Sequence, residues 1–509
     1  MPQIAVRIQR VGAVAILTTT TRNAGRPESD YKYIAMSNLN VLLLFSDEHQ
    51  RDALGCYGHA TVKTPNLDKL AARGTRFTNA YTPSPICVPA RASLATGEYV
   101  HKTRCWSNAQ AYQGKPSSWG HRLQLQEHRV DSIGKLHYRG KEYDNGFDNE
   151  ILPLYIRNGL GWIKGLLRDH EAVLDCSGYA AEIGPGDNSY TEYDLGVTRK
   201  ACDWLNNKRN TGGDKSWTLF VSWLRPHYPL TCPPGFYDLY PIEKMGKARF
   251  TEPQRQPKHP VVQTIRRNFN YDSYFTPETR QIARASYYGL CSFLDYQVGQ
   301  VITALEASGQ LDNTLVIYTS DHGDHNGDRG LWTKMTLYDE STAVPMIIAG
   351  PKIPKGKAVS TLTSLVDIYP TILSAVGIND DGEHRPGITL QTLASNGDFD
   401  RTILSEYHDG GSPTGMFMLR SARWKYNYYP GFAPELFDMG KDPDELIDLG
   451  ESKQHADTRV QCYSQMLKMV DPEAANKCAF ADQKMRIEEL GGVESLLKSK
   501  EFDFTPVVN

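Results

Sequence analysis

Five short, continuous apolar runs constrain the fold of this chain more than any other feature. Asn40 to Phe45 (NVLLLF) runs into Ser46-Asp47, and Val130 to Ile133 runs into Gly134-Lys135-Leu136-His137. Trp217 to Trp223 (WTLFVSW) leads to Arg225-Pro226-His227, Thr314 to Thr319 (TLVIYT) ends in Ser320-Asp321, and Pro345 to Ala349 (PMIIA) stops at Gly350-Pro351. Apolar runs without alternation suit strands buried on both faces of a parallel sheet. Helical patterns lie between them: Pro65 to Arg73, with Thr64 as cap and Gly74 as stop, then Tyr193 to Asn206 and Pro277 to Leu305. This alternation predicts an α/β fold, with a large, doubly wound, mostly parallel sheet flanked by helices. After about residue 385 the texture changes, and Ile403 to Tyr407, Met416 to Arg420 and Trp424 to Tyr429 read as short strands. They predict a smaller C-terminal antiparallel-sheet domain, closed by a helix from about Asp457 to Met469.

The expected organisation is therefore an N-terminal extension over 1–36, a large α/β domain over 37–385, a small β domain over 386–470 and a tail over 471–509. Val11 to Leu17, behind Arg7 and Arg10, imitates a signal peptide, but it is brief and is followed by four threonines. We read the extension as poorly ordered or as an upstream start before Met36. No stretch approaches the ~18 apolar residues of a membrane span. The formal net charge of −3 points to neither nucleic acid nor an anionic membrane as partner. Nine cysteines scattered from Cys56 to Cys478, none in C-x-x-C spacing, fit a reducing compartment, so a cytoplasmic location is expected.

The polar residues that close the runs are the first pointer to function. Asp47, Lys135, His137, His227, Asp321 and His322 all fall just after predicted strands. In an open parallel sheet the carboxyl ends of the strands form the ligand crevice. An aspartate in such a place is often only a turn or cap residue; six polar residues at one edge are harder to dismiss. Asp47-Glu48 and Asp321-His322 offer carboxylates and an imidazole, a set suited to calcium or magnesium, with manganese or zinc admitted by the imidazole. The segment from Ser84 to Gly97 places Cys87 at a helix start and Arg91 four residues on, on the same face. A helix N-terminus beside an arginine attracts anions. By itself, however, a cysteine is most often a buried structural thiol.

Cys87-Val-Pro-Ala-Arg91, followed by Ala-Ser-Leu-Ala-Thr-Gly97, resembles the sulfatase signature C-x-P-x-R with its L-x-T-G extension, with Ala90 where serine is usual. Other segments resemble the same family in order: Asn40 to Asp47, Thr64 to Gly74, Gly134-Lys135-Leu-His137, Pro226-His227-Tyr-Pro229, Ser320-Asp321-His322, Lys334, and Glu435-Leu-Phe-Asp with Asp442-Pro-Asp-Glu445. The resemblance implies that Cys87 is oxidised to formylglycine by a maturation enzyme, and that the hydrated aldehyde attacks a sulfate monoester. It implies one divalent metal, calcium or manganese, on Asp47, Glu48, Cys87, Asp321 and His322. Arg91, Lys135 and Lys334 would neutralise the sulfate oxygens, His227 would protonate the leaving alcohol, and His137 would help expel sulfate. The chain is similar to bacterial cytosolic members of the arylsulfatase, choline-sulfatase and phosphonate monoester hydrolase branch, in which the tail helps build dimers or tetramers.

Two alternatives stay open: a phosphonate monoester hydrolase or phosphodiesterase with promiscuous sulfatase activity, and a non-catalytic sulfatase-like binding protein. Trp106, Asn108 and Tyr112 are candidates for the substrate pocket, with ordinary loop packing as the competing role.

Overall fold

The computed structural model describes residues 38–168, 176–211, 215–379, 385–396, 399–499 and 505–507, so the expected extension over 1–36 lies outside the described residues. The strands and helices that frame the site are β1 (Asn40–Asp47), α1 (Pro65–Arg73), β2 (Thr75–Phe77), α2 (Cys87–Thr96), β3 (Arg129–Lys135) and β4 (Asn149–Leu154). They continue with α3 (Ser189–Asn206), β5 (Trp217–Pro226), α4 (Pro277–Ala307), β6 (Thr314–Ser320), β7 (Met346–Ala349) and β8 (Lys357–Val359). The eight strands form one sheet in the order β8-β2-β7-β6-β1-β5-β3-β4. β1 pairs in parallel with β5 and β6, and β3 with β5 and β4. The run ending at Ala349 departs from the parallel expectation: β7 is antiparallel to both β6 and β2. It is as apolar as the others because burial, not strand direction, sets that pattern.

One face of the sheet carries Leu42, Leu44, Leu219, Val221 and Val316, covered by Leu67 and Leu70 of α1, Val197 and Leu205 of α3, and Leu294, Val298 and Val301 of α4. Each such side chain contributes roughly 1.5–3 kcal/mol when fully buried. On the other face Phe45 packs on Phe220, which also meets Trp119 and Phe147. α1 has the bounds read from sequence, but its cap differs. The Thr64 hydroxyl accepts from the Gly55 amide, and the first amides of α1, at Asn66 and Leu67, donate instead to the Asp295 carboxylate of α4. A cap supplied from another helix leaves no local signature.

Beyond residue 400, β9 (Ile403–Tyr407), β10 (Met416–Arg420), β11 (Trp424–Tyr428) and β12 (Glu435–Asp438) form an antiparallel sheet in sequence order. Its fourth strand is the Glu435-Leu-Phe-Asp segment. The closing helix α5 (Ala456–Met466) buries Cys462 and Met466 against Leu404, Phe417 and Leu436, together with Tyr99 and Val366 from earlier in the chain. Two further helices, α6 (Pro472–Glu489) and α7 (Val493–Lys498), lie in the tail. Ile487, Leu490 and Leu496 pack on Ala109, Leu166 and Leu167, so the tail folds back onto its own chain.

Candidate active site

The carboxyl ends of four adjacent strands, β6, β1, β5 and β3, converge at one edge of the sheet. Asp47 ends β1, Lys135 ends β3, His227 follows β5, and Asp321 and His322 follow β6. Gly134 sits at a register shift with φ 102°, and a Cβ there would lie 2.0 Å from the Ser222 carbonyl oxygen. Only glycine fits, and this break in the ladder turns Lys135 toward Asp47. Cys87 opens α2, which ends at Gly97 in the left-handed conformation.

Ligand atoms of Asp47, Cys87, Asp321 and His322 all lie within 4.8 Å of one another, and all four residues are buried. His322 Nε2 is 3.2 Å from Cys87 Sγ, 3.6 Å from Asp321 Oδ1 and 3.8 Å from Asp47 Oδ1. The other ring nitrogen, Nδ1, is 3.0 Å from the Gly323 carbonyl oxygen. A proton held there turns the Nε2 lone pair to the cluster, as in a ligating histidine. Arg91 backs the carboxylates: Nε donates to Asp321 Oδ2 at 2.9 Å, Nη2 to Asp47 Oδ2 at 3.5 Å, and Nη1 to the Lys135 carbonyl and Ser222 Oγ. Lys135 Nζ bonds Asp47 Oδ2. Burial alone would raise the Asp47 carboxyl, but Lys135, His227 and Arg91 hold it well below the usual range. Burial and the neighbouring Asp47 carboxylate push the Cys87 thiol up to about 12.

Glu48 belongs to a second group that shares Asp47 with the first. Its carboxylate turns to Lys334, whose Nζ is 2.9 Å from Oε2 and 3.0 Å from His227 Nε2. Glu48 therefore clamps a lysine and a histidine, its amide donates to Asp321 Oδ1 at 3.1 Å, and its carboxylate forms a second close group with Asp47 and His227, whose ligand atoms also lie within 4.8 Å of one another. Burial would lower the Lys334 ammonium, but Glu48 holds it well above its ordinary value. His227 Nδ1 lies 2.6 Å from the Tyr228 carbonyl, and the ring stacks on Tyr228 at 4.2 Å.

Of the three pocket candidates, only Asn108 borders the nucleophile: its Oδ1 accepts the Val88 amide at 3.0 Å, one residue from Cys87. Trp106 is 1% exposed with its indole N–H on Asp482, and Tyr112 is 1% exposed with its hydroxyl on the Pro116 carbonyl. Both contacts are those of loop packing, the competing role. Ser222 and Tyr228 enter the site without having been singled out, because a serine or tyrosine beside a strand end carries no signal of its own.

A sulfatase model matches residues 39–378, two thirds of the chain and every strand-end residue above. The chain belongs to the sulfatase family. A second model, the C-terminal region of N-sulphoglucosamine sulphohydrolase, matches residues 327–471. Among this sulfatase's relatives, the choline-sulfatase of Rhizobium meliloti is 32% identical over 429 residues, covering 81% of this chain and 82% of that protein. Human arylsulfatase K is 30% identical, covering 81% and 78%. In structure, the phosphonate monoester hydrolase of Agrobacterium radiobacter matches with TM-score 0.71 at 25% identity, covering 85% of this chain and 95% of that one. A 2-O glycosaminoglycan sulfatase shares the fold, with TM-score 0.68 at 23% identity. The sulfatase is thus a sulfuric ester hydrolase of the alkaline phosphatase superfamily. Among its described residues no helix is long and apolar enough to cross a membrane.

Proposed function

We propose that the enzyme cleaves sulfate monoesters to an alcohol and sulfate, using a formylglycine made from Cys87 and one divalent cation held by Asp47, Asp321 and His322. The convergence of these side chains with Cys87 on one buried point carries the reading. Two carboxylates and an oriented imidazole suit calcium or manganese. Cys87 Sγ stands in for the oxygens of the hydrated aldehyde, beside the same ligands. The cation would supply Lewis acidity and the hydrate the attacking oxygen.

The remaining work falls to the chain's own side chains. Lys135 and Lys334 set two ammonium groups around the position of the sulfate oxygens, where charge persists in the transition state. Arg91, bonded to protein through Nε, Nη1 and Nη2, positions Asp47 and Asp321. Lys334, sharing a hydrogen bond with His227 Nε2, supplies the proton for the departing alcohol oxygen, directly or through the imidazole. His137 takes the proton whose loss releases sulfate. A formylglycine-generating enzyme is the required maturation partner. Cys56, Cys105, Cys202, Cys232, Cys291, Cys462 and Cys478 are free thiols, which supports a cytoplasmic location. Self-association into dimers or tetramers through the tail belongs to the same reading.

Aldehyde-specific labelling of the peptide containing Cys87, from cells that carry the maturation enzyme, tests the nucleophile. A labelled residue with turnover of an aryl sulfate supports the reading; an unlabelled thiol in an active preparation overturns it. The likeness to a phosphonate monoester hydrolase favours a second reading, with phosphorus in place of sulfur. It prevails where the same preparation turns over a phosphonate monoester or phosphate diester faster than the sulfate ester.

A further inference from the structure

Thr505 reaches the active site from far along the chain. Thr505 Oγ1 lies 2.9 Å from His137 Nε2, across 368 residues of sequence. Its position is held from two sides: the Tyr190 hydroxyl donates to the Thr505 carbonyl at 2.8 Å, and Val507 packs in the cluster of Leu154, Tyr190 and Leu224. Tyr190 is itself 1% exposed, and its ring lies 6.2 Å from that of His227. His137 has φ 56°, a backbone conformation that side-chain contacts must hold in place. Its other ring nitrogen, Nδ1, is buried and has no hydrogen-bond partner among the described residues.

We propose that Thr505 is a positioning residue for His137, with its hydroxyl accepting the Nε2 proton so that the lone pair of the neutral ring stands on Nδ1. The nitrogen without a protein partner then becomes the base that takes the proton of the hydrate's second hydroxyl as the aldehyde re-forms and sulfate leaves, and the hydrogen bond to Thr505 returns the ring to the required tautomer at every turnover. Thr505 is thereby part of the active site. This inference rests on the assignment of His137 as the base that releases sulfate.

The test measures kcat and KM on an aryl sulfate for the full-length T505V, T505S, H137A and T505V/H137A variants, each with its aldehyde content and melting temperature. T505V keeps the shape and removes the hydroxyl. We expect it to lower kcat by about 10- to 100-fold with little change in KM, a typical cost of losing an orienting partner. T505S should recover most of that loss, and T505V should add nothing in the H137A background. A T505V enzyme with wild-type kcat overturns the inference, as does equal damage by T505S, which would assign the effect to the methyl group. Further loss from T505V in the H137A background also overturns it. A silent T505V beside an impaired H137A leaves the His137 assignment standing, whereas wild-type turnover in H137A removes that assignment and the inference together.

Discussion

Two buried charge clusters in this molecule have the same net charge and opposite organisation. At the sheet edge, Asp47, Glu48 and Asp321 face Arg91, Lys135 and Lys334. Where the C-terminal sheet meets the rest of the chain, Asp339, Glu340 and Glu445 face Arg51, Arg329 and Lys425. In the second cluster every carboxylate is closed by cations: Arg329 bonds Glu340 at 3.0 Å, and Lys425 bonds Asp339 at 2.8 Å and Glu445 at 2.6 Å. Tyr338 lies under Arg329 and seals it from water. In the first cluster Asp47 is shared among two cations and His322, and three histidines and a thiol stand nearby. Carboxylates closed by cations alone join two parts of a fold; carboxylates gathered with a thiol and an imidazole around a common point leave ligand atoms available for chemistry.

The sharpest way to break this comparison is to remove the nucleophile. C87A should lose turnover by on the order of 10⁴-fold or more while its melting temperature stays near wild type, with D321A close behind in turnover. Chelation should abolish activity in the same way, and calcium or manganese should restore it. Loss of fold in C87A would show that the first cluster is structural after all. The opposite variant, K425M, removes the cation that Asp339 and Glu445 share and leaves them only Arg51 at 3.3 Å and Arg329 at 3.9 Å. It should cost about 3–5 kcal/mol in denaturant unfolding, with kcat per folded molecule unchanged. Next comes K334A, which should slow turnover by about 10²- to 10³-fold, and more for alkyl than for nitrophenyl esters, because a good leaving group needs less protonation. Equal losses for both esters would remove Lys334 from the proton path.

The smallest effect concerns the pair His101 and Glu406, with Nδ1 2.7 Å from Oε1. Burial opposes ionisation of Glu406, but His101 and His408 bring it from the ordinary 4.5 down to about 2. His101 is raised above 6.5, burial being outweighed by Glu406. A depressed acid gives stability that is present above pH 4.5 and lost toward pH 2. A raised histidine gives stability that is present below pH 6.5 and lost as pH rises through its folded value. The pair therefore stabilises most between about pH 4.5 and 6.5, by at most ~3 kcal/mol. Unfolding curves at pH 3, 5.5 and 8, compared with E406Q, should show this window flattened in the variant.

Much of the fold was legible because it is written locally. Apolar runs marked the strands, Pro65 and Gly74 bracketed α1, and the texture change after residue 385 announced the small sheet. β7 was misread because two-sided burial erases the difference between parallel and antiparallel strands. At the site, the polar residues at strand ends could be placed along the chain, yet their partners could not. Glu48 follows Asp47 directly, but its backbone turns through φ 67° and sends its side chain to Lys334. Trp106 and Tyr112 looked like pocket residues because aromatic loops serve packing and recognition equally well.

By itself, then, the sequence determined the order of strands and helices, the helix that begins at Cys87 and the set of strand-end acids, lysines and histidines, since each depends on neighbours a few residues away. Only the tertiary structure decided that Arg91 braces the carboxylates, that Asp295 caps α1 and that Thr505 meets His137. Those contacts span hundreds of residues, and the path of the chain, not any local pattern, brings their atoms within hydrogen-bonding distance.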